Sequence, residues 1–175
     1  LVLILSSWAT ANDTRYYEIL LKDKLIGYAS EQADVATWQD RKVNRIRATT
    51  ALKFAVLGKQ RKTQLESVTY IDPKNDRVVF FELTSSVNGT ASHLECICEP
   101  EQARIWIFDN PDNKGEPTTV SLPPNWQIMS GNNFSHWQRI VAELVPQADA
   151  ANNKPQDAQT LAVFMPETKT SVDFH

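Results

Sequence analysis

From Ile46 onward, apolar or small residues hold the even positions, Ile46, Ala48, Thr50, Leu52, Phe54 and Val56. Arg45, Arg47, Thr49, Ala51, Lys53 and Ala55 hold the odd ones. Successive side chains of a strand point to opposite faces, so this period of two predicts a long half-buried strand. Other segments share the pattern and are divided by turn chemistry. Tyr16 to Leu21 and Leu25 to Ala33 flank Lys22-Asp23-Lys24, which reads as a hairpin connection. Leu57-Gly58-Lys59 turns the long strand into Arg61 to Ile71, and Asp72-Pro73-Lys74-Asn75-Asp76 forms the next turn. Asn88-Gly89, between Arg77 to Val87 and Thr90 to Cys98, is the pair favoured where both central residues need positive φ. Ala103 to Phe108, the polar loop Asp109 to Gly115 and Thr118 to Leu122 bring the run to eight antiparallel strands.

Pro123-Pro124 ends that run, because neither residue can donate to a ladder. Asn132 or Asn133 can then cap a helix near 133–145, in which Phe134, Trp137, Ile140, Val141 and Leu144 recur at helical spacing before Pro146. Gln147 to Asp157 reads as a solvated loop, and Gln159 to Phe164 with Lys169 to Phe174 as a closing hairpin. The expected fold is mainly β (α+β), an antiparallel meander of about 8–10 strands that twists or curls into an open half-barrel. The helix is expected on the concave face, with Phe134 and Trp137 packed on Ile46, Leu52, Phe54 and the aromatics near Phe81.

The 175 residues suit one domain, and 18 basic against 21 acidic residues supply no overall electrostatic reason to bind nucleic acid or an anionic membrane. With 42% hydrophobic residues, 5 Gly and 9 Pro, the composition excludes collagen-like and wholly disordered classes. The basic residues between Arg41 and Arg61 read as a solvent face.

Candidate chemistry is sparse. Cys96-Ile97-Cys98 places both thiols on one strand face about 7 Å apart, beyond disulfide span in a regular strand. They read as inert thiols, the alternatives being a strained or intermolecular disulfide and a metal site for which His93 is the only further local ligand. Asp109-Asn110-Pro111-Asp112-Asn113 suggests a calcium loop only through its spacing. No nucleophile elbow, P-loop, zinc-protease motif or dinucleotide turn occurs. Cys96 with His136 is the one thiol–imidazole pair to consider, and His136 reads as a surface or interface residue of the helix. No catalytic residue, metal or cofactor is therefore expected. Phe80, Trp106, Phe108 and Trp137 are the candidates for an apolar ligand face beneath a helix lid.

Leu1 to Leu5 is an aliphatic run that leads to Ala9-Thr10-Ala11, small residues at the spacing a signal peptidase reads. Residues 1–11 read as the remnant of a secretory signal peptide and 12–175 as one β-rich domain cut from a longer chain. The expected location is the periplasm, cell envelope or extracellular space.

Tyr16-Tyr17-Glu18-Ile19 with its return Leu25-Ile26-Gly27-Tyr28 opens a recognisable order of segments. It continues through Leu57-Gly58, Tyr70-Ile71-Asp72-Pro73, the Leu122-Pro123-Pro124 break and Val163-Phe164-Met165-Pro166-Glu167. This order resembles the non-catalytic N-terminal β domain of exported bacterial transglutaminase-like proteins of the planctomycete kind. The resemblance implies a papain-like Cys/His/Asp domain downstream as the partner, and an accessory or binding role for this chain. The competing expectation is a periplasmic carrier of lipid or another apolar ligand; an envelope protein is a further possible partner.

Overall fold

The computed structural model describes residues 13–56, 58–130, 135–138, 140 and 161–174. Eight strands follow chain order in one antiparallel sheet: β1 (Asp13–Leu21), β2 (Lys24–Trp38), β3 (Arg41–Val56), β4 (Lys59–Asp72), β5 (Arg77–Val87), β6 (Thr90–Cys98), β7 (Gln102–Phe108) and β8 (Thr118–Ser121). The sheet is an open meander and does not close into a barrel. A second sheet holds β9 (Gln127–Ile128), β10 (Leu161–Met165) and β11 (Thr170–Phe174), with β10 central. β11 pairs with it antiparallel and β9 parallel. Residues 135–138 and 140 are helical. The rest of the helix expected near 133–145, the loop expected at 147–157 and the signal-peptide remnant at 1–11 lie outside the described residues.

Two-residue turns set the register. Lys22-Asp23, Gln39-Asp40 and Asn88-Gly89 carry positive φ at both positions, the backbone that matches the twist of a tight hairpin. Gln39-Asp40 contains neither glycine nor asparagine, and Asp40 alone marks the turn in the sequence. The hairpin it closes extends β2 and β3 through 34–45, beyond the expected ends near Ala33 and Ile46.

Pairing across the central strands places Ala33, Ile46, Thr69, Phe81, Cys96 and Ile105 in one row, which defines the inner face. Asp34, Arg45, Tyr70, Phe80, Ile97 and Arg104 form the neighbouring row on the outer face. The main core gathers Phe81, Leu83, Leu94, Cys96 and Ile105 of the inner face with Trp126, Ile128, Ala162 and Phe164. Leu161 and Val163, on the other side of β10, pack instead with Ile140 of the helical segment. β10 is thus buried on both faces, which is why its sequence is an unbroken apolar run and not an alternation. Phe81 and Phe164 are fully buried, each a contribution of about 1.5–3 kcal/mol.

The helical segment lies over the inner face with a rotation different from the expected one. His136 and Ile140, four residues apart and so on one side, are each 1% exposed, whereas Trp137 is 40% exposed. Polar contacts select this rotation. The Ser135 amide and hydroxyl donate to the Glu31 carboxylate at 3.0 and 2.6 Å, and His136 Nε2 lies 3.2 Å from Thr69 Oγ1. His136 is therefore an interface residue, buried in the sheet–helix seam. Phe134, Val141 and Leu144 lie outside the described residues.

Gly27 shows why one position of the β1–β2 hairpin is restricted. A Cβ there would run into the Ala51 carbonyl oxygen and stand 2.8 Å from Leu52 Cδ2 on the paired strand. Backbone cannot move aside as a side chain tip can, so β2 would have to separate from β3. Gly27→Ala is expected to lower stability by about 1–3 kcal/mol, read from the midpoint of urea unfolding at unchanged m-value.

Candidate functional site

The outer face of β5, β6 and β7 collects the chemistry. Hairpin register sets Glu82 opposite Glu95, Glu95 opposite Trp106, and His93 opposite both Thr84 and Phe108. The connection after the short 3-10 turn Pro111–Asn113 delivers Lys114 onto this surface. Its ammonium pairs with Glu95 and sits 4.2 Å from the Trp106 ring centre and 5.9 Å from that of Phe108. His93 stacks on Phe108 at 5.5 Å, and its Nδ1 lies 3.1 Å from Thr84 Oγ1. Burial, and then the charge of Glu95, raise the Glu82 carboxyl above its ordinary range, with His93 and Lys114 opposing. The cluster joins two carboxylates, flat aromatic surfaces and a fixed cation.

A second panel on the same face lies towards β2. Tyr70 stacks on Phe80 at 5.4 Å, and Trp38 is 5.9 and 5.8 Å from these two rings. The Arg41 guanidinium lies 5.6 Å from the Trp38 ring centre. Beside it, Arg45 forks onto Asp34 with contacts of 2.8 and 2.6 Å, and Arg47 adds one of 2.9 Å. Two arginines of the strip expected to be a plain solvent face therefore anchor a carboxylate, because β2 continues far enough to supply Asp34.

Three of the four residues expected to form an apolar site, Phe80, Trp106 and Phe108, share the outer face. Trp137 belongs to the helical segment, whose contacts with Thr69 and Phe81 put it on the inner side. The four do not line one space: a one-residue difference in strand parity separates Phe80 from Phe81. Glu82, Glu95 and Lys114 went unnoticed in the sequence. The usable signal was Asn88-Gly89, since Glu82 and Glu95 are equidistant from that turn and a two-residue hairpin pairs them.

The inner face handles the cysteines differently. Cys96 and Cys98 are free and buried, with their sulfur atoms 3.5 Å apart. The hydrogen bond with Cys96, burial and the Cys96 charge together push the Cys98 thiol well above its usual range. It stays protonated near neutral pH, and a thiol is a poor nucleophile compared with its thiolate. His136, the imidazole considered beside Cys96, meets Thr69 and the ring of Phe81, the cross-strand neighbour of Cys96. In the loop with calcium-like spacing, Asn110 Oδ1 accepts from the Asp112 amide at 3.0 Å, a turn-forming contact. Among the described residues no group of three or more His, Cys, Asp or Glu side chains is placed to hold a metal ion.

The chain matches no protein-family model, and no curated protein or solved structure matches it.

Two outcomes are expected from these geometries. The hydrogen bond from Arg45, with the charges of Arg45 and Arg47, holds the Asp34 carboxyl below its ordinary value. The stability this pairing contributes is complete above the unfolded-state pKa of about 3.9 and is lost as pH falls through the lower folded-state value. Asp34→Asn should flatten that acid limb in a series of thermal melts. Iodoacetamide at neutral pH should leave both cysteines unmodified in the folded chain and alkylate both in denaturant, as read by intact-mass measurement.

Proposed function

We propose that this chain is a non-catalytic binding domain of an exported protein, the β domain that precedes a transglutaminase-like catalytic domain. The outer sheet face is the surface it offers. One observation carries the reading. The inner face of β4 to β7 is covered by the chain's own β9, β10 and helical segment, while the outer face keeps half-buried aromatic side chains pinned by ion pairs. Trp38, Tyr70, Phe80 and Trp106 need little further ordering before they contact a partner, and preordered aromatic and arginine side chains are the groups that dominate protein interfaces. The buried thiols and the resemblance around Gly27-Tyr28 support the same assignment.

The reading frame beyond His175 is expected to continue into a Cys/His/Asp core, and a stop codon there removes the proposal. In the full-length protein, hydroxyl-radical footprinting should protect Trp38, Tyr70 and Trp106 relative to the chain alone. Trp106→Ala should weaken association with the separately produced catalytic domain by about tenfold or more. Unchanged footprints in the full-length protein, or lipid retained in native mass spectra of host-purified chain, would turn the assignment towards a carrier.

A further inference from the structure

The β1–β2, β3–β4, β5–β6 and β7–β8 connections emerge at one end of the sheet, the last of them carrying Asp109, Asp112 and Glu116 at the β8 side. Charge at the β1–β4 corner of that end departs from the chain average. Within 20–25 and 53–62, Lys22, Lys24, Lys53, Lys59, Arg61 and Lys62 are all exposed and Asp23 is the single acid, in a chain of net charge -3. At the opposite end Asp40, Asp72, Asp76, Glu99 and Glu101 interleave with Arg41, Lys42, Lys74 and Arg77. The first hairpins have gathered cations at one corner of the sheet, which no overall count can reveal.

Lys53 and Lys62 stand directly opposite one another on paired strands, an arrangement that is repulsive unless an anion lies between. They line a groove of about 650 Å3 that crosses β2, β3 and β4 and reaches the β5–β6 turn, with Tyr28 and Gln64 also on its walls and no carboxylate among its lining residues. The groove wall is fixed: Asn88 Oδ1 accepts from the Lys62 amide at 3.0 Å, and the Asn88 amide donates to the Lys62 carbonyl at 2.9 Å. Apolar side chains accompany the cations. Leu20, Leu21, Leu25 and Tyr28 are 46%, 55%, 47% and 57% exposed.

We propose that this corner of the sheet docks on an anionic phospholipid surface. Lys53 and Lys62 take a headgroup phosphate in the groove, and the leucines beside the β1–β2 turn enter the interfacial layer. A soluble polyanion would match the cations but leave the leucines in water; an anionic lipid surface matches both. The docking is separate from the outer-face association with a catalytic domain, so either can fail without the other.

Cosedimentation of the chain with vesicles tests this. Binding is expected to mixed phosphatidylglycerol and phosphatidylcholine vesicles, to weaken steeply with added salt, and to be absent with phosphatidylcholine alone. Each lysine near such a surface is worth about fivefold in affinity. Lys53→Gln with Lys62→Gln should therefore weaken binding about 30-fold, while Lys42→Gln with Lys74→Gln leaves it unchanged. Leu21→Ser with Leu25→Ser should weaken binding without altering its salt dependence. Failure of the unaltered chain to bind the mixed vesicles overturns the proposal, as does equal binding to phosphatidylcholine alone. Equal loss in the two lysine pairs overturns it too, and so does capture of inorganic polyphosphate without vesicle binding.

Discussion

An open antiparallel sheet of eight strands leaves two faces and two edges to be managed, and everything else in this chain depends on how the inner face is kept from water. Phe164 and Ala162 of β10 do this by packing with Phe81, Leu94, Cys96 and Ile105. The strand that does the covering is remote in sequence from the strands it covers, and it is itself enclosed, since Leu161 and Val163 turn towards Ile140. A sheet closed on itself would have needed no such cover. Here the layer of β9, β10 and the helical segment lies against the inner face, and Cys96 and Cys98 are buried beneath it.

Polar groups within that layer set orientation where apolar packing alone would leave a choice. Glu31 receives two hydrogen bonds from Ser135, one from its amide and one from its hydroxyl. Thr69 meets His136. In the observed rotation the buried Glu31 carboxylate and His136 imidazole each meet a polar partner, as buried polar groups require, and Trp137 stays partly in solvent.

The outer face and the hairpin end follow a different logic, because solvent already satisfies them. Ordering there comes from cross-strand neighbours: Asp34 with Arg45 and Arg47, Glu95 with Lys114, and the Trp38, Tyr70 and Phe80 rings. Exposed ion pairs of this kind add little stability. Their effect is to hold aromatic surfaces in one arrangement, which lowers the entropic cost of meeting a partner. The crowding of lysines at the β3–β4 hairpin has no such internal partner among the groove-lining residues, and this leaves one corner of the sheet basic.

Strand identity was legible locally. Alternation over 46–56, the Asn88-Gly89 pair and the Asp72–Asp76 turn are properties of adjacent residues, so the meander and most of its boundaries could be read without coordinates. The continuation of β2 and β3 through Gln39-Asp40 escaped, because that turn uses left-handed backbone with Asp40 alone to announce it. β9 escaped because two residues cannot show a period; it exists through its parallel contact with β10. Which aromatic residues share a side was a matter of parity across several hairpins, and Phe80 and Trp137 fell on different sides for that reason. The burial of His136, the pairing of Glu82 with Glu95 beneath Lys114 and the gathering of cations at one corner all arise between segments far apart in the chain. Local patterning specifies which residues extend and turn, since neighbours alone decide it; tertiary packing decides which surfaces meet, since that depends on register summed over the whole sheet.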